Sequence, residues 1–126
     1  MDKGLVNIIN IVSEEIGKEY GEDSVEHKCF DIFMEAFKLF VRKQHDYGPT
    51  NIGVTGLKGI IVRVADKVSR LVNLFNKDSL GEAQNESIED TLLDMVNYSA
   101  MGLMDFRGQW PRFEPTEAWK IEGEKE

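Results

Sequence analysis

The chain has 126 residues, 41% of them apolar and 30% charged, with a formal net charge of −8. A chain of this length supports a single domain, 1–126, whose core needs no staples, because roughly two-thirds of its surface can leave water on folding. The acidic balance argues against binding duplex nucleic acid, the lone Cys29 excludes an internal disulfide, and no run of about 18 apolar residues offers a membrane span.

Helical periodicity runs through almost the whole chain. Leu5, Ile8, Ile9, Val12 and Ile16 recur at 3–4 spacing and predict a first helix closed by Gly21. Asp23 or Ser24 offers the cap of a second helix. Its stripe is Phe30, Phe33, Phe37, Phe40 and Val41, and it should end near Asp46, because Gly48 and Pro49 follow. The run DYGPTNIGVTGLKG is rich in turn residues and predicts an irregular loop.

A third helix is expected over about 57–76. Its β-branched residues make a strand over 59–64 the competing assignment. Length and the spacing of Ile61, Val68 and Phe75 favour helix. NESIED opens a fourth, with Asn85 or Ser87 near the cap and acids in the first turn, where the helix dipole favours them. This helix carries Leu92, Leu93, Met95, Val96, Met101 and Leu103, and frays by Gly108. Trp110, Phe113 and Trp119 then stand among prolines and charges, which reads as an extended C-terminal tail. The expected fold is all-α: a four-helix-type bundle with a core over about 3–107 and a tail over 108–126.

The polar positions inside the two apolar helices carry the chemistry. Arg63, Asp66 and Arg70 fall on one face of the third helix, bordered by Lys67. Asp90, Asp94 and Asn97 repeat the pattern on the fourth. Such stripes on outer faces are commonly just solvated. Here they are narrow, and the residues on both sides of Asp94 are apolar, so the stripes can instead turn toward one cleft. Asp90 and Asp94, one turn apart, can hold Mg²⁺ through oxygen ligands, with water and substrate phosphates completing the shell. Arg63, Lys67 and Arg70 can meet phosphate oxygens, and Asn97 can add a carbonyl oxygen or bind a ligand. Before the loop, KQHDYG brings Lys43, Asp46 and Tyr47 to the mouth of the second helix. Tyr47 can stack on a base and Asn51 can read its edge; equally, Asp46 and Tyr47 can serve the turn and its packing. His27 and His45 lack cysteine partners, so zinc is not expected. No phosphate-binding glycine loop occurs in the spacing such loops need.

KQHDYG, RVADKVSRLVNL and ESIEDTLLDMVNY together resemble the nucleotide-modification-associated domain family of phages and bacteria, over about 30–106. The resemblance implies a role around modified or depleted deoxynucleotides, in the cytoplasm, which is the host's if the chain is phage-encoded. More distantly, LLDMVNY is similar to part of a motif in the MazG-like all-α nucleoside-triphosphate pyrophosphohydrolases, with Asp94 in the Asp position. Those enzymes set Glu-x-x-Glu on one helix and Glu-x-x-Asp on a later one around Mg²⁺. Here Thr91 stands in place of that later Glu, and Asp66, Lys67 and Arg70 replace the first pair.

Two functions follow as expectations. One is an Mg²⁺-dependent nucleotide pyrophosphohydrolase, with Asp90 and Asp94 on the metal, Glu35 or Asp66 assisting, and Arg63, Lys67 and Arg70 on the phosphates. The other is a non-catalytic nucleotide binder that sequesters a nucleotide or presents it to a DNA-modifying enzyme. A helical interaction module whose stripes form salt bridges between subunits is the plain alternative. The long apolar helices also lead one to expect a homo-oligomer, a dimer or tetramer.

Overall fold

The computed structural model describes residues 1–77, 82–118 and 121, with the backbone alone for 82–86 and 118. The class is all-α: four main helices and one short one, with no strand among the described residues. The chain divides into two compact units, Met1–Lys43 and Gln44–Glu126. None of the described helices is long and apolar enough to cross a membrane.

The first unit holds α1 (Lys3–Tyr20) and most of α2 (Val25–Tyr47). Gly21, at φ 108°, ends α1 where a side chain would strain. Ser24 then caps α2 as expected: its Oγ accepts from the His27 amide at 3.1 Å and donates to the Gly21 carbonyl at 2.7 Å. A polar clasp holds the corner. Ser13 Oγ donates to Asp31 Oδ1 at 2.6 Å and lies 2.9 Å from His27 Nε2, while His27 Nδ1 lies 2.8 Å from the Glu22 carbonyl. Gly17 lets the His27 ring approach, since a Cβ there would stand 3.1 Å from it. The expected aromatic stripe of α2 does not close into a core within this unit, and Phe33 and Phe37 remain exposed.

The second unit is built on α3 (Thr50–Phe75) and α4 (Glu82–Phe106), followed by the short α5 (Pro115–Ala118). Three contacts fix α3 and α4 as an antiparallel pair: Leu57 meets Asp105, Lys67 meets Asp94, and Val72 and Ile88 line one groove. Most of the predicted loop is helical. α2 runs to Tyr47 and α3 begins at Thr50, so only Gly48 and Pro49 separate them. A backbone hydrogen bond from Gly53 to the Pro49 carbonyl, 3.0 Å, starts the first turns of α3. Gly56 interrupts them with φ 61° and ψ −144°, a conformation open essentially to glycine alone. The predicted start of the third helix near 57 is therefore the start of its straight segment.

That segment is helix where a strand competed; Ile60 is buried in it, while Ile61, Val62, Val68 and Val72 stay exposed. α4 begins at Glu82, earlier than the cap at Asn85 or Ser87 would allow; Ser87 lies inside the helix and its carbonyl accepts from Thr91 Oγ1 at 2.6 Å. Gly108, at φ 71°, closes α4, with Gln109 N–H on the Met104 carbonyl (2.8 Å) and Gly108 N–H on that of Asp105 (3.0 Å).

The tail packs where it can be described. Trp110 is buried and its Nε1 donates to the Pro49 carbonyl at 3.1 Å. Phe113 N–H reaches the Gly53 carbonyl at 3.3 Å. Gly53 has no room for a side chain, because Pro111 O and the Phe113 ring fill the space. Trp119 and 122–126 lie outside the described residues.

Candidate functional site on the α3–α4 pair

The centre of the pair is an ion pair. Lys67 Nζ lies 3.0 Å from Asp94 Oδ2, with only 21% and 13% of the two side chains exposed. Of the three cations on α3 near this level, the structure places Lys67 against the aspartate. The reason is angular. Lys67 points along the line joining the helix axes, whereas at 100° per residue Arg63 and Arg70 turn about 40–60° away from it. Among the described residues no ion pair within 4.0 Å includes Arg63, Asp66 or Arg70.

Helical periodicity then sorts the rest into two faces. Arg63, Asp66 and Arg70 of α3 fall on the same side of the pair as Asp90 and Asn97 of α4. Arg63 is half-buried, Asp66, Arg70 and Asp90 are exposed, and Asn97 is buried at 8%. The antiparallel register puts Arg70 level with Asp90 and Thr91, and Arg63 level with Tyr98. Arg63, Lys67 and Arg70 thus recur one turn apart along one edge of the α3–α4 seam, and Asp90, Asp94 and Asn97 along the other. Among the described residues no group of three His, Cys, Asp or Glu side chains is placed to hold a metal ion. Asp90 and Asp94 supply two carboxylates, and one of them already faces an ammonium.

The loop residues stand elsewhere. Asp46 and Tyr47 are exposed at the end of α2, and Asp46 Oδ1 lies 3.4 Å from His45 Nδ1. Asn51 Oδ1 accepts from the Ile52 amide at 2.9 Å, so it is engaged with its own backbone. The straight segment from Leu57 to Lys67 is about 15 Å long, which separates Asn51 from the ion pair. Glu35 is exposed and Lys43 half-buried on α2, both in the first unit.

One polar residue of the second unit was not singled out from sequence. Asp105 is 4% exposed. Its Oδ2 accepts from the Leu57 amide and from Arg112 Nη2, each at 3.0 Å, and its Oδ1 is buried with no partner among the described residues. It caps the straight segment of α3 from across the pair. The signal was available, since Asp105 sits between Met104 and Phe106 as Asp94 sits between Leu93 and Met95. Eleven residues, about 16 Å of helix, separate it from Asp94, so it belongs to the fold's closure and not to the cleft.

A kinked helix paired antiparallel to a second, with the Lys67–Asp94 ion pair between them, defines a small all-α domain with a polar interhelical seam. The model of the family described as nucleotide modification associated domain 1 matches residues 43–106, just over half of the chain. The chain belongs to that family. No curated protein and no solved structure matches it. The matched stretch contains every candidate residue except Glu35, and ends one residue after Asp105.

Proposed function

We propose that the chain binds a nucleotide, or a phosphorylated nucleotide derivative, along the cationic edge of the α3–α4 cleft, and binds it without needing a metal. One observation carries this reading. Lys67 occupies Asp94 at 3.0 Å, in the space a divalent cation would take, and Arg63 and Arg70 flank it one turn to either side. Arginine grips phosphate oxygens through its planar fork and does not itself cleave a phosphoanhydride. The family description, nucleotide modification associated, supports a nucleotide as the ligand. Presentation of a nucleotide to a DNA-modifying enzyme, or its sequestration, fits a site of this kind.

The pyrophosphohydrolase reading rests on the i, i+4 pair Asp90 and Asp94. It requires Lys67 to leave Asp94 and turn to phosphate, so that both carboxylates hold Mg²⁺ and activate a water. One experiment separates the two. A panel of ribo- and deoxynucleoside mono-, di- and triphosphates is titrated by calorimetry, in EDTA and in Mg²⁺, with pyrophosphate and phosphate release followed in parallel. Binding in EDTA without turnover, weakened at least about tenfold in Arg70→Ala (~1.4 kcal/mol), supports metal-free binding. Turnover that appears only with Mg²⁺ and is lost in Asp94→Asn supports hydrolysis. Absence of binding in both buffers returns the stripe to a solvated helix face and ends both readings.

A further inference from the structure

The polar corner between α1 and α2 needs one proton more than its hydroxyl can give. Gly17 is the one buried residue of α1, while Ile8, Ile11 and Val12 stay exposed, so this corner carries much of what holds α1 to α2. Around the His27 ring each hydrogen can be placed. Nδ1 lies 2.8 Å from the Glu22 carbonyl; a carbonyl only accepts, so that nitrogen bears a hydrogen and donates it. Nε2 lies 2.9 Å from Ser13 Oγ, which in turn lies 2.6 Å from Asp31 Oδ1. A carboxylate also only accepts, and the hydroxyl has a single hydrogen. With a neutral ring that hydrogen serves either Nε2 or Asp31, and the other contact sets two acceptors face to face. With a protonated ring every contact has its donor: Nδ1–H to Glu22, Nε2–H to Ser13, and Ser13 O–H to Asp31.

We infer that this corner is a proton-operated clasp: protonation of His27 turns the Ser13 hydroxyl to Asp31 and adds that tie between α1 and α2, and loss of the proton returns the hydroxyl to the ring and releases Asp31. Asp31 is the charged side chain that faces the ring, with Oδ2 3.6 Å from Nε2. From α1, Ser13 and the uncharged Gly17 meet it, and the turn between the helices presents the Glu22 carbonyl. Only 18% of the His27 side chain is exposed, so water is poorly placed to supply a missing donor, whereas Asp31 is 54% exposed and returns to water once released. Because the tied corner favours the protonated ring, its contribution is full below about pH 6.5, where an unfolded histidine titrates, and is lost as pH rises through the folded ring's own titration. These residues all lie in the first unit, so the inference stands independently of the nucleotide reading.

Nuclear magnetic resonance of the full chain tests it. His45, the chain's other histidine and 89% exposed, is replaced by Gln so that one imidazole titrates. Hydrogen-exchange protection of the amides from Ser13 to Tyr20, corrected for the intrinsic pH dependence of exchange, is followed beside the His27 ring resonances. The expected result is protection at least about threefold greater at about pH 5.5 than at about pH 8, changing in step with the ring. Asp31→Asn is the deciding variant. Its amide donates to Ser13 Oγ and frees the hydroxyl hydrogen for the neutral ring, so α1 should be about as protected at the higher pH as at the lower. Protection that ignores the ring's titration overturns the proposal, and so does a pH dependence that persists undiminished in Asp31→Asn.

Discussion

Asp94 shows how burial alters the meaning of a carboxylate. On an exposed helix an acid and a lysine at 3.0 Å would contribute little, but here both side chains are mostly withdrawn from water. Removing one charge leaves the other to be desolvated without it. Asp94→Asn is expected to destabilise the chain by about 1–3 kcal/mol, and Lys67→Met/Asp94→Leu to recover much of that loss, read as urea midpoints at unchanged m. A double variant as unstable as the sum of its singles would show that the pair is not coupled. Asp105 makes a stronger case. Two donors converge on its Oδ2, so Asp105→Ala removes both a helix cap and a charge-assisted hydrogen bond, for an expected loss of about 2–4 kcal/mol. Arg112→Ala should cost less, because 63% of that side chain is exposed and water can replace part of the contact.

Among the elements, the breakpoint in α3 has the most specific requirement. Gly56 holds φ 61°, and a Cβ there would collide with Arg112 and press on Asp105. Gly56→Ala is expected to cost at least about 1–3 kcal/mol from backbone strain alone. It should also release the tail, so that Trp110 fluorescence shifts to the red in a Trp119→Phe background; an unshifted spectrum would mean the tail docks without the kink. The helices themselves were legible in sequence, because 3–4 spacing and glycine stops act locally: Gly21, Ser24 and Gly108 end or start helices where they were expected to. The helical turns of 50–55 were not legible. Their glycines read as loop, and what holds them is Trp110, Pro111 and Phe113, which local pattern cannot supply. The polar stripes were legible for the same local reason. That Lys67 would reach Asp94 depended on the angle at which two helices meet, and Asp105 passed unnoticed because a single acid in an apolar run looks alike whether it binds or braces.

At the scale of the whole molecule, charge is the governing quantity. A chain at −8 repels a polyanion except where its cations gather, and Arg63, Lys67 and Arg70 of α3 span only about two turns. Duplex DNA is therefore expected not to bind at about 0.15 M salt, where the screening length is about 8 Å, while a small phosphate compound can still reach the edge. Fluorescence polarisation with a labelled duplex checks this; retention of the duplex at that salt would show a larger basic surface than α3 provides. The family match and the second compact unit largely coincide, 43–106 against 44–126, so that unit is where the family's shared properties reside.

The seating of Trp110 on the Pro49 carbonyl also sets an order of events during synthesis. The two residues are 61 positions apart. At about 5–20 residues per second, roughly 3–12 s pass between the making of the acceptor and the making of its donor. α3 and α4 are themselves made within that interval, α4 ending only four residues before Trp110, and through all of it the turns that precede Gly56 have nothing to lean on. The N-terminal end of α3 is thus finished by the segment made after α4, and a nascent chain halted at Phe106 would carry every residue the family model matches without the Trp110 and Phe113 contacts at the start of α3.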